Sequence, residues 1–179
     1  GGPPPSAGEI AFPRRMCRGS SARMKARRTW REKLEDSKDL PRVERMSGKG
    51  AARWGKGTLV IPAPIEGDAL MRRVRKGRLT TINDIRAALA KKHAATVACP
   101  ITTGIFAWIA AHAAAEREAA GARRVTPYWR TLKLQGELNA KYPGGIAEQR
   151  RRLLAEGHRV VTRGKRCFVE DHDQRLAAL

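Results

Sequence analysis

Residues 125–132 are Val-Thr-Pro-Tyr-Trp-Arg-Thr-Leu, the stretch with the most distinctive combination of side chains in the sequence. It places two adjacent aromatic residues and an arginine directly after a proline, in a chain with four Trp, two Tyr and three Phe. An aromatic pair offers flat faces on which a nucleobase can stack, and an arginine offers a planar fork for phosphate or guanine. A buried wedge between a helix and a hairpin explains the same residues equally well.

The charge of the chain indicates a polyanionic partner. Lys and Arg number 37 against 17 Asp and Glu, which gives a net charge of +20 and a pI near 11.2. An excess of this size and sign is typical of proteins that bind nucleic acid. A membrane surface is the weaker competitor, because the most apolar run, residues 105–115, is interrupted by Trp108 and His112 and is shorter than the roughly 18 residues of a membrane span.

The cysteines and the N-terminus exclude several other classes. Cys17, Cys99 and Cys167 are an odd set with no CxxC spacing, so the sequence predicts neither a disulfide framework nor a metal site, and we expect no cofactor. Residues 1–21 contain prolines and arginines and no apolar segment of a secretory signal. We therefore expect a cytoplasmic protein, associated with the nucleoid.

Composition divides the chain at Thr58. Residues 1–57 are predicted to be a basic and largely disordered extension, because Gly, Pro, Ser and Arg dominate its beginning and leave little to bury. Met24 is a candidate for the true start, and residues 25–38 have the pattern of a short helix on Trp30 and Leu34. Residues 58–179 are predicted to be the folded domain.

The folded part predicts a mainly helical α+β domain with a helix-turn-helix. Thr81 stands three residues before Asp84, which is the pattern of a capping box at the start of a helix. A second, longer helix opens at Pro100, in the favoured first-turn position, and ends near Gly121. Two helices joined by a short turn, the second of them long, are typical of DNA-binding proteins.

A basic hairpin follows the helices. Gly144-Gly145 precedes a further helix that ends at Gly157, and residues 159–161 and 167–169 have the pattern of two short strands. The tip between those strands includes Arg163-Gly164-Lys165-Arg166. Helices followed by a hairpin with a basic tip predict a winged helix, although a merely solvated turn accounts for the tip as well.

These motifs, taken in order, resemble the DNA-binding domain of the methylated-DNA-protein cysteine methyltransferases, and especially their alkyltransferase-like relatives. Those proteins carry a helix-turn-helix, then a Pro-Cys-His-Arg motif, a Gly-Gly turn and a helix that ends in Leu-Leu-x-x-Glu-Gly. The resemblance spans residues 62–157. Here the matching elements are Pro127-Tyr128-Trp129-Arg130, Gly136, Tyr142, Gly144-Gly145 and Leu153-Leu154-Ala155-Glu156-Gly157.

The resemblance implies DNA binding without alkyl transfer. In the methyltransferases a cysteine thiolate, assisted by a histidine and a glutamate, takes the alkyl group from guanine O6. Tyr128 and Trp129 stand at the cysteine and histidine positions, and only Glu156 is kept. A phenol titrates near about 10 and an indole offers no base, so neither replaces the lost pair. The alkyltransferase-like proteins bind alkylated DNA, flip the lesion and recruit repair enzymes, which implies a lesion pocket of Tyr128, Trp129, Tyr142 and Glu156.

Two departures from the family leave alternatives open. Gly104 falls where the family inserts an arginine into the base stack, and Ala120 falls where a hinge asparagine stands. Either Phe106, Arg130 or another side chain fills the gap left by a flipped base, or flipping does not occur. The alternatives are an active methyltransferase that uses Cys99 and a general winged-helix protein that regulates or organises DNA without a lesion pocket.

The expected partner is double-stranded DNA, alkylated or not, bound by a monomer that repair proteins then join. Hydroxyls at the start of the Pro100 helix are candidate phosphate contacts, with simple helix capping as the equal alternative. The arginines after residue 71 and the hairpin tip supply candidate cations. The expected DNA contacts are Thr102, Thr103, Arg130, Arg72, Arg73, Arg163 and Lys165.

Overall fold

A computed structural model describes Gly2 and residues 28–179, without the side chains of residues 49, 50 and 53. The expectations for Cys17, for Met24 and for the rest of residues 1–27 lie outside the described residues. Within them the chain forms an α+β fold. Its α-helices are α1 (Trp30–Glu35), α2 (Gly48–Trp54), α3 (Pro64–Arg73), α4 (Ile82–Lys92), α5 (Pro100–Ala119) and α6 (Gly145–Ala155).

The sheets of the described residues are small. Their strands are β1 (Arg42–Arg45), β2 (Thr58–Ile61), β3 (Thr80–Thr81), β4 (Val97–Ala98), β5 (Thr131–Leu132), β6 (Val160–Arg163) and β7 (Arg166–Val169). Strand β2 is central to a three-stranded sheet, antiparallel to β1 and parallel to β4. Strand β3 pairs in parallel with β5, and β6 and β7 form the antiparallel hairpin that the sequence predicts.

The predicted capping box begins α4. The Thr81 hydroxyl accepts a hydrogen bond from the Asp84 amide at 3.2 Å, and an Asp84 carboxylate oxygen accepts one from the Thr81 amide at 2.8 Å. Two amide groups that the first turn of a helix leaves unpaired are satisfied in this way. The predicted box is confirmed, and it fixes where the chain leaves β3 and enters the helix.

Helix α5 is the longest of the described helices and runs through the larger core. It begins at Pro100, as predicted, and its buried residues include five alanines: Ala107, Ala110, Ala111, Ala113 and Ala114. Small side chains let α1 and α3 pack closely against its backbone. Despite this apolar character, none of the helices in the described part of the chain combines the length and hydrophobicity needed to cross a bilayer.

Two groups of buried side chains hold the elements together. The larger joins α1, α3, α4 and α5 and includes Met71, Ile85 and Tyr128. The smaller lies between α6 and the hairpin and consists of Leu79, Leu132, Leu138, Leu153 and Val169. Trp129 packs against both groups. Residues 125–132 therefore lie where the two cores meet.

The structure differs from the predicted disordered extension over residues 28–57. Helix α1, which lies inside the expected 25–38 helix, packs against α5 and buries Leu34. The Trp30 ring stacks on His112 at 4.5 Å between centroids and meets the edge of Trp108 at 4.7 Å. Composition does not predict this packing, because Trp30 is an isolated apolar residue in the sequence. Its aromatic partners, Trp108 and His112, lie about 80 residues away in α5.

Candidate nucleic-acid interface

The Tyr128–Arg130 segment is a single 3-10 turn, and its first ring lies inside the protein. Tyr128 is 1% exposed, and its hydroxyl donates to the carbonyl oxygen of Pro143 at 3.4 Å. The ring meets Trp129 and Tyr142 edge to face, with centroids 5.4 and 5.7 Å apart. Burial raises the pKa of the Tyr128 phenol. Tyr128 therefore presents no exposed face on which a base could stack.

Trp129 and Arg130 are both bound to Glu156. The Trp129 indole N–H donates to Glu156 Oε1 at 2.8 Å. Arg130 donates to both carboxylate oxygens, from Nε at 2.9 Å to Oε2 and from Nη2 at 2.7 Å to Oε1. Its Nη1 donates to the carbonyl oxygen of Val74 at 2.6 Å. The expectation that Arg130 contacts phosphate therefore needs correction, because this guanidinium is committed to partners inside the protein.

The environment of Glu156 favours its ionised form. Burial acts to raise the pKa of this carboxyl, but hydrogen bonds from Arg130 and Trp129 outweigh burial and bring the pKa below its usual range. The Gly77 amide also donates to Oε2, at 3.3 Å. A carboxylate that accepts this many hydrogen bonds orders its neighbours, and it is poorly suited to donate a proton to a substrate.

Arg152 lies over the rings of Trp129 and Tyr128, and it is not among the residues that the sequence motifs predicted for the site. Its guanidinium carbon lies 4.6 Å from the centre of the Trp129 ring and 5.6 Å from that of Tyr128. Arg152 is held there by Glu148 at 2.6 Å and Glu118 at 2.7 Å. The four-residue spacing from Glu148 to Arg152 was a detectable signal for the first of these ion pairs.

A cavity of about 980 Å³ opens beside the first turns of α5. Its walls come from the start of α5 and from the chain between β5 and α6. The lining residues are Ile82, Pro100, Ile101, Gly104, Ile105, Trp108, Leu132, Lys133, Asn139, Ala140, Lys141 and Tyr142. Tyr142 is the one expected pocket residue among them. Tyr128, Trp129 and Glu156 do not line this cavity.

The two walls of the cavity differ in chemistry. The α5 wall is apolar, with Ile101 68% and Ile105 46% exposed. A Cβ atom at Gly104 would meet nothing within 4 Å, so this part of the wall is open. The chain between β5 and α6 contributes Lys133 and Lys141, and no Asp or Glu belongs to the described lining. The cavity can therefore hold a flat apolar group whose edge carries negative charge.

The hydroxyls at the start of α5 serve the helix itself. Thr103 is buried, and its hydroxyl donates to the Cys99 carbonyl oxygen at 2.7 Å. The Thr102 hydroxyl donates to the same oxygen at 3.4 Å. Thr103 is therefore not the phosphate contact that was expected, because its oxygen is enclosed by the first turn of the helix. The Thr102 side chain is half-buried beside it.

Cys99 does not have the surroundings of a catalytic thiol. It is the N-cap of α5, is half-buried and makes no side-chain capping bond. The histidine that caps α4, His93, lies 2.8 Å from Glu66, and His112 of α5 stacks on Trp30. Both rings are therefore engaged elsewhere.

The remaining expected cations lie at the surface. Arg72 is held by Asp68 at 2.8 Å and by Thr126 at 3.0 Å, and its side chain remains almost half exposed. Arg73 is exposed, as are Arg163 and Lys165 at the hairpin. These four cations are accessible to a polyanion.

The hairpin is joined to the loop that forms one wall of the cavity. The Leu138 amide donates to the Cys167 carbonyl oxygen at 2.9 Å, and Glu137 forms a β-bridge with Phe168. Because Lys133 and Lys141 lie on either side of this attachment, the cationic cavity wall and the basic hairpin belong to one continuous part of the fold.

No protein-family model matches the chain, and no curated protein or solved structure matches it at a significant level. Among the described residues, no group of three or more His, Cys, Asp or Glu side chains is arranged to hold a metal ion. Function is therefore inferred from the cavity, the surface charge and the sequence motifs.

Proposed function

We propose that the protein is a non-catalytic winged-helix DNA-binding protein of the alkyltransferase-like type, which binds alkylated or otherwise modified DNA and assists its repair. It acts as a monomer at the nucleoid. The main support is the cavity at the start of α5, whose lining combines apolar side chains of α5 with Lys133 and Lys141 and includes no carboxylate. Nucleic acid combines these two chemistries, because its bases are flat and apolar and its phosphates are anionic.

The distribution of cations supports DNA over a small anionic ligand. In this proposal α4 and α5 serve as the helix-turn-helix, and the β6–β7 hairpin with Arg163 and Lys165 serves as the wing. Arg72 and Arg73 add positive charge at the end of α3. A ligand that uses all these groups must be extended and must carry many negative charges, as a duplex does.

The absence of alkyl transfer follows from the side chains at the motif. Tyr128 is buried, and the Trp129 indole N–H is bound to Glu156, so the motif supplies neither a nucleophile nor a base. We expect that DNA carrying a labelled methyl group on guanine leaves no label on the protein. A covalent label on Cys99 would replace this proposal with the alternative of an active methyltransferase.

The second candidate function is a general winged-helix protein that regulates or organises DNA. One observation favours it: Tyr128 and Trp129 do not line the cavity, so the aromatic platform expected for a lesion is not there. Both candidates bind duplex DNA, and they differ in whether a modified base adds affinity.

Titration of two matched duplexes separates these candidates. One carries a single alkylated guanine and the other carries guanine at the same position. The alkyltransferase-like proposal predicts at least about tenfold tighter binding of the alkylated duplex, which is about 1.4 kcal/mol. Equal affinity for the two duplexes would establish the general winged-helix function, and no binding to either would refute both.

A further inference from the structure

The most exposed large hydrophobic side chains of α5 are concentrated at its beginning. Ile101 is 68% exposed and Ile105 is 46% exposed. Residues four apart lie on the same face of a helix, so the two side chains form one apolar ridge. Both line the cavity described above. Neighbouring apolar side chains that are exposed together can mark a contact surface.

We propose that Ile101 and Ile105 form an apolar wedge that enters between two stacked base pairs of duplex DNA and partly unstacks them. The inference rests on the proposed DNA binding and names the contact by which the protein deforms the duplex. Other DNA-bending proteins insert Ile, Leu, Phe or Met side chains between base steps in this way. Isoleucine suits the role, since its branched side chain has few rotamers and loses little entropy when it is inserted.

The backbone around the ridge leaves room for a duplex to approach. Gly104 lies between the two isoleucines in sequence and also lines the cavity. No atom lies within 4 Å of the position that a Cβ at Gly104 would take. A larger side chain there would fill part of the open space beside the ridge. The glycine therefore allows the DNA to come close to the helix backbone.

The charges around the ridge fit phosphates. Lys133 and Lys141 line the same cavity as the two isoleucines, and no carboxylate belongs to the described lining. Lys133 is paired with Glu137 at 2.8 Å, whereas Lys141 makes no ion pair among the described residues. An apolar ridge flanked by cations matches DNA, in which stacked bases lie inside two rows of phosphates.

Aromatic packing holds the part of α5 that follows the ridge. Trp108, which lines the cavity one turn after Gly104, meets Trp30 edge to face at 4.7 Å. Trp30 in turn stacks on His112 at 4.5 Å. This aromatic group fixes α1 against the part of α5 that carries the wedge. A wedge must be rigid, since a mobile side chain would move aside before it separated two base pairs.

The proposal predicts a preference for weak base steps. Pyrimidine–purine steps and mismatches unstack at a lower free-energy cost than other steps. Because the wedge meets less resistance there, the protein should bind such duplexes more tightly than fully paired ones of the same length. The selectivity would then depend on stacking strength and not on a pattern of hydrogen bonds to base edges.

The experiment uses the full chain and a duplex with 2-aminopurine, a base whose fluorescence rises on unstacking, at a central TA step. The variants are Ile101→Ala, the double variant Ile101→Ala/Ile105→Ala, and the control Ile65→Ala. Ile65 is 41% exposed on α3 and does not line the cavity. Affinity is measured by anisotropy on the same samples, and circular dichroism checks that each variant is folded.

We expect the wild type and Ile65→Ala to raise the fluorescence severalfold on binding. The double variant should bind with at most about tenfold weaker affinity and give little rise, with Ile101→Ala between the two. A wild type that binds without any rise, or a rise that persists in the double variant, would overturn the wedge while leaving DNA binding intact. A wild type that does not bind DNA would overturn both the wedge and the proposed function.

Discussion

Arg130 and Glu156 form an ion pair inside the protein, with Nη2 and Oε1 2.7 Å apart and side chains only 13% and 8% exposed. The pair connects the 3-10 turn after Pro127 to the end of α6. Arg130 also binds the carbonyl oxygen of Val74, which follows α3. Arg130 and Glu156 therefore hold together three parts of the fold: the 3-10 turn, the end of α6 and the residue that follows α3.

Replacing Arg130 with alanine is expected to lower the free energy of unfolding by about 3–5 kcal/mol, because the Glu156 carboxylate stays buried without its cation. Urea denaturation measures the change. Arg151→Ala is the matched control: Arg151 pairs with Glu148 at 2.7 Å at the surface, where an ion pair contributes at most about 1 kcal/mol. An Arg130→Ala protein of wild-type stability with weakened DNA binding would show that Arg130 holds phosphate after all.

Trp129→Ala tests whether the indole supports the fold or receives a base. We expect a lower melting temperature and a similar loss of affinity for alkylated and unmodified duplexes, since the ring fills the junction of the two cores beneath Arg152. Trp129→Phe keeps a ring but loses the bond to Glu156, so it should be destabilised less. A stable Trp129→Ala variant that lost about 1–3 kcal/mol of affinity for alkylated DNA alone would identify Trp129 as the stacking platform.

The local features of the fold could be predicted from the sequence, and the contacts between distant residues could not. The Thr81–Asp84 capping box and the Pro100 helix start depend on residues a few positions apart, and both are confirmed. The pairing of Arg130 with Glu156 spans 26 positions, and no local pattern encodes it. Local spacing also does not determine that α5 buries its alanines against α1 and α3 and leaves Ile105 at the cavity.

The same limit applies to the candidate site. The sequence motif drew attention to Tyr128 and Trp129, but a side chain's direction depends on tertiary packing that a motif does not contain. Tyr142 lines the cavity at the start of α5, apart from the other three residues of the expected pocket. The sequence did not predict that Ile101 and Lys141 belong to a site, because a single apolar residue and a single lysine form no motif. The fold brings both residues to one cavity.

Stability should fall between pH 7 and pH 5 because of His158. This ring is buried, its Nε2 has no hydrogen-bond partner among the described residues, and burial lowers its pKa even though Glu156 acts in the opposite direction. The unfolded chain binds a proton near about pH 6.5, and the folded chain binds it only at lower pH. The contribution of His158 is thus complete above about pH 6.5 and is lost as the pH falls towards the folded pKa.

Urea midpoints of the wild type and of His158→Phe, measured across this pH range, isolate the contribution of the histidine. Phenylalanine has a ring of similar size and does not titrate, so the variant should lose less stability than the wild type on acidification. An identical pH dependence in the two proteins would mean that His158 is protonated equally easily in the folded and unfolded chains.

Trp30→Ala should weaken the attachment of α1. The substitution removes the contacts of the Trp30 ring with His112 and Trp108. Truncation of a half-buried tryptophan is expected to lower the free energy of unfolding by about 2–3 kcal/mol. Thermal unfolding measures the loss. Arg31→Ala serves as the control, because this neighbouring side chain is exposed and its ion pair with Glu35 is at the surface. Unchanged stability in Trp30→Ala would support the expectation that this segment is a separate extension.

The salt dependence of DNA binding decides whether the basic surface around the α5 cavity binds nucleic acid. Dissociation constants for one duplex are measured between about 50 and 200 mM salt, for the wild type and for Lys141→Ala. If about four to six Lys and Arg side chains contact phosphate, the logarithm of affinity falls against the logarithm of salt with a slope of roughly −4 to −5, and Lys141→Ala reduces its magnitude by about 1. A slope near zero, or no binding at low salt, would contradict the proposal that this protein binds DNA.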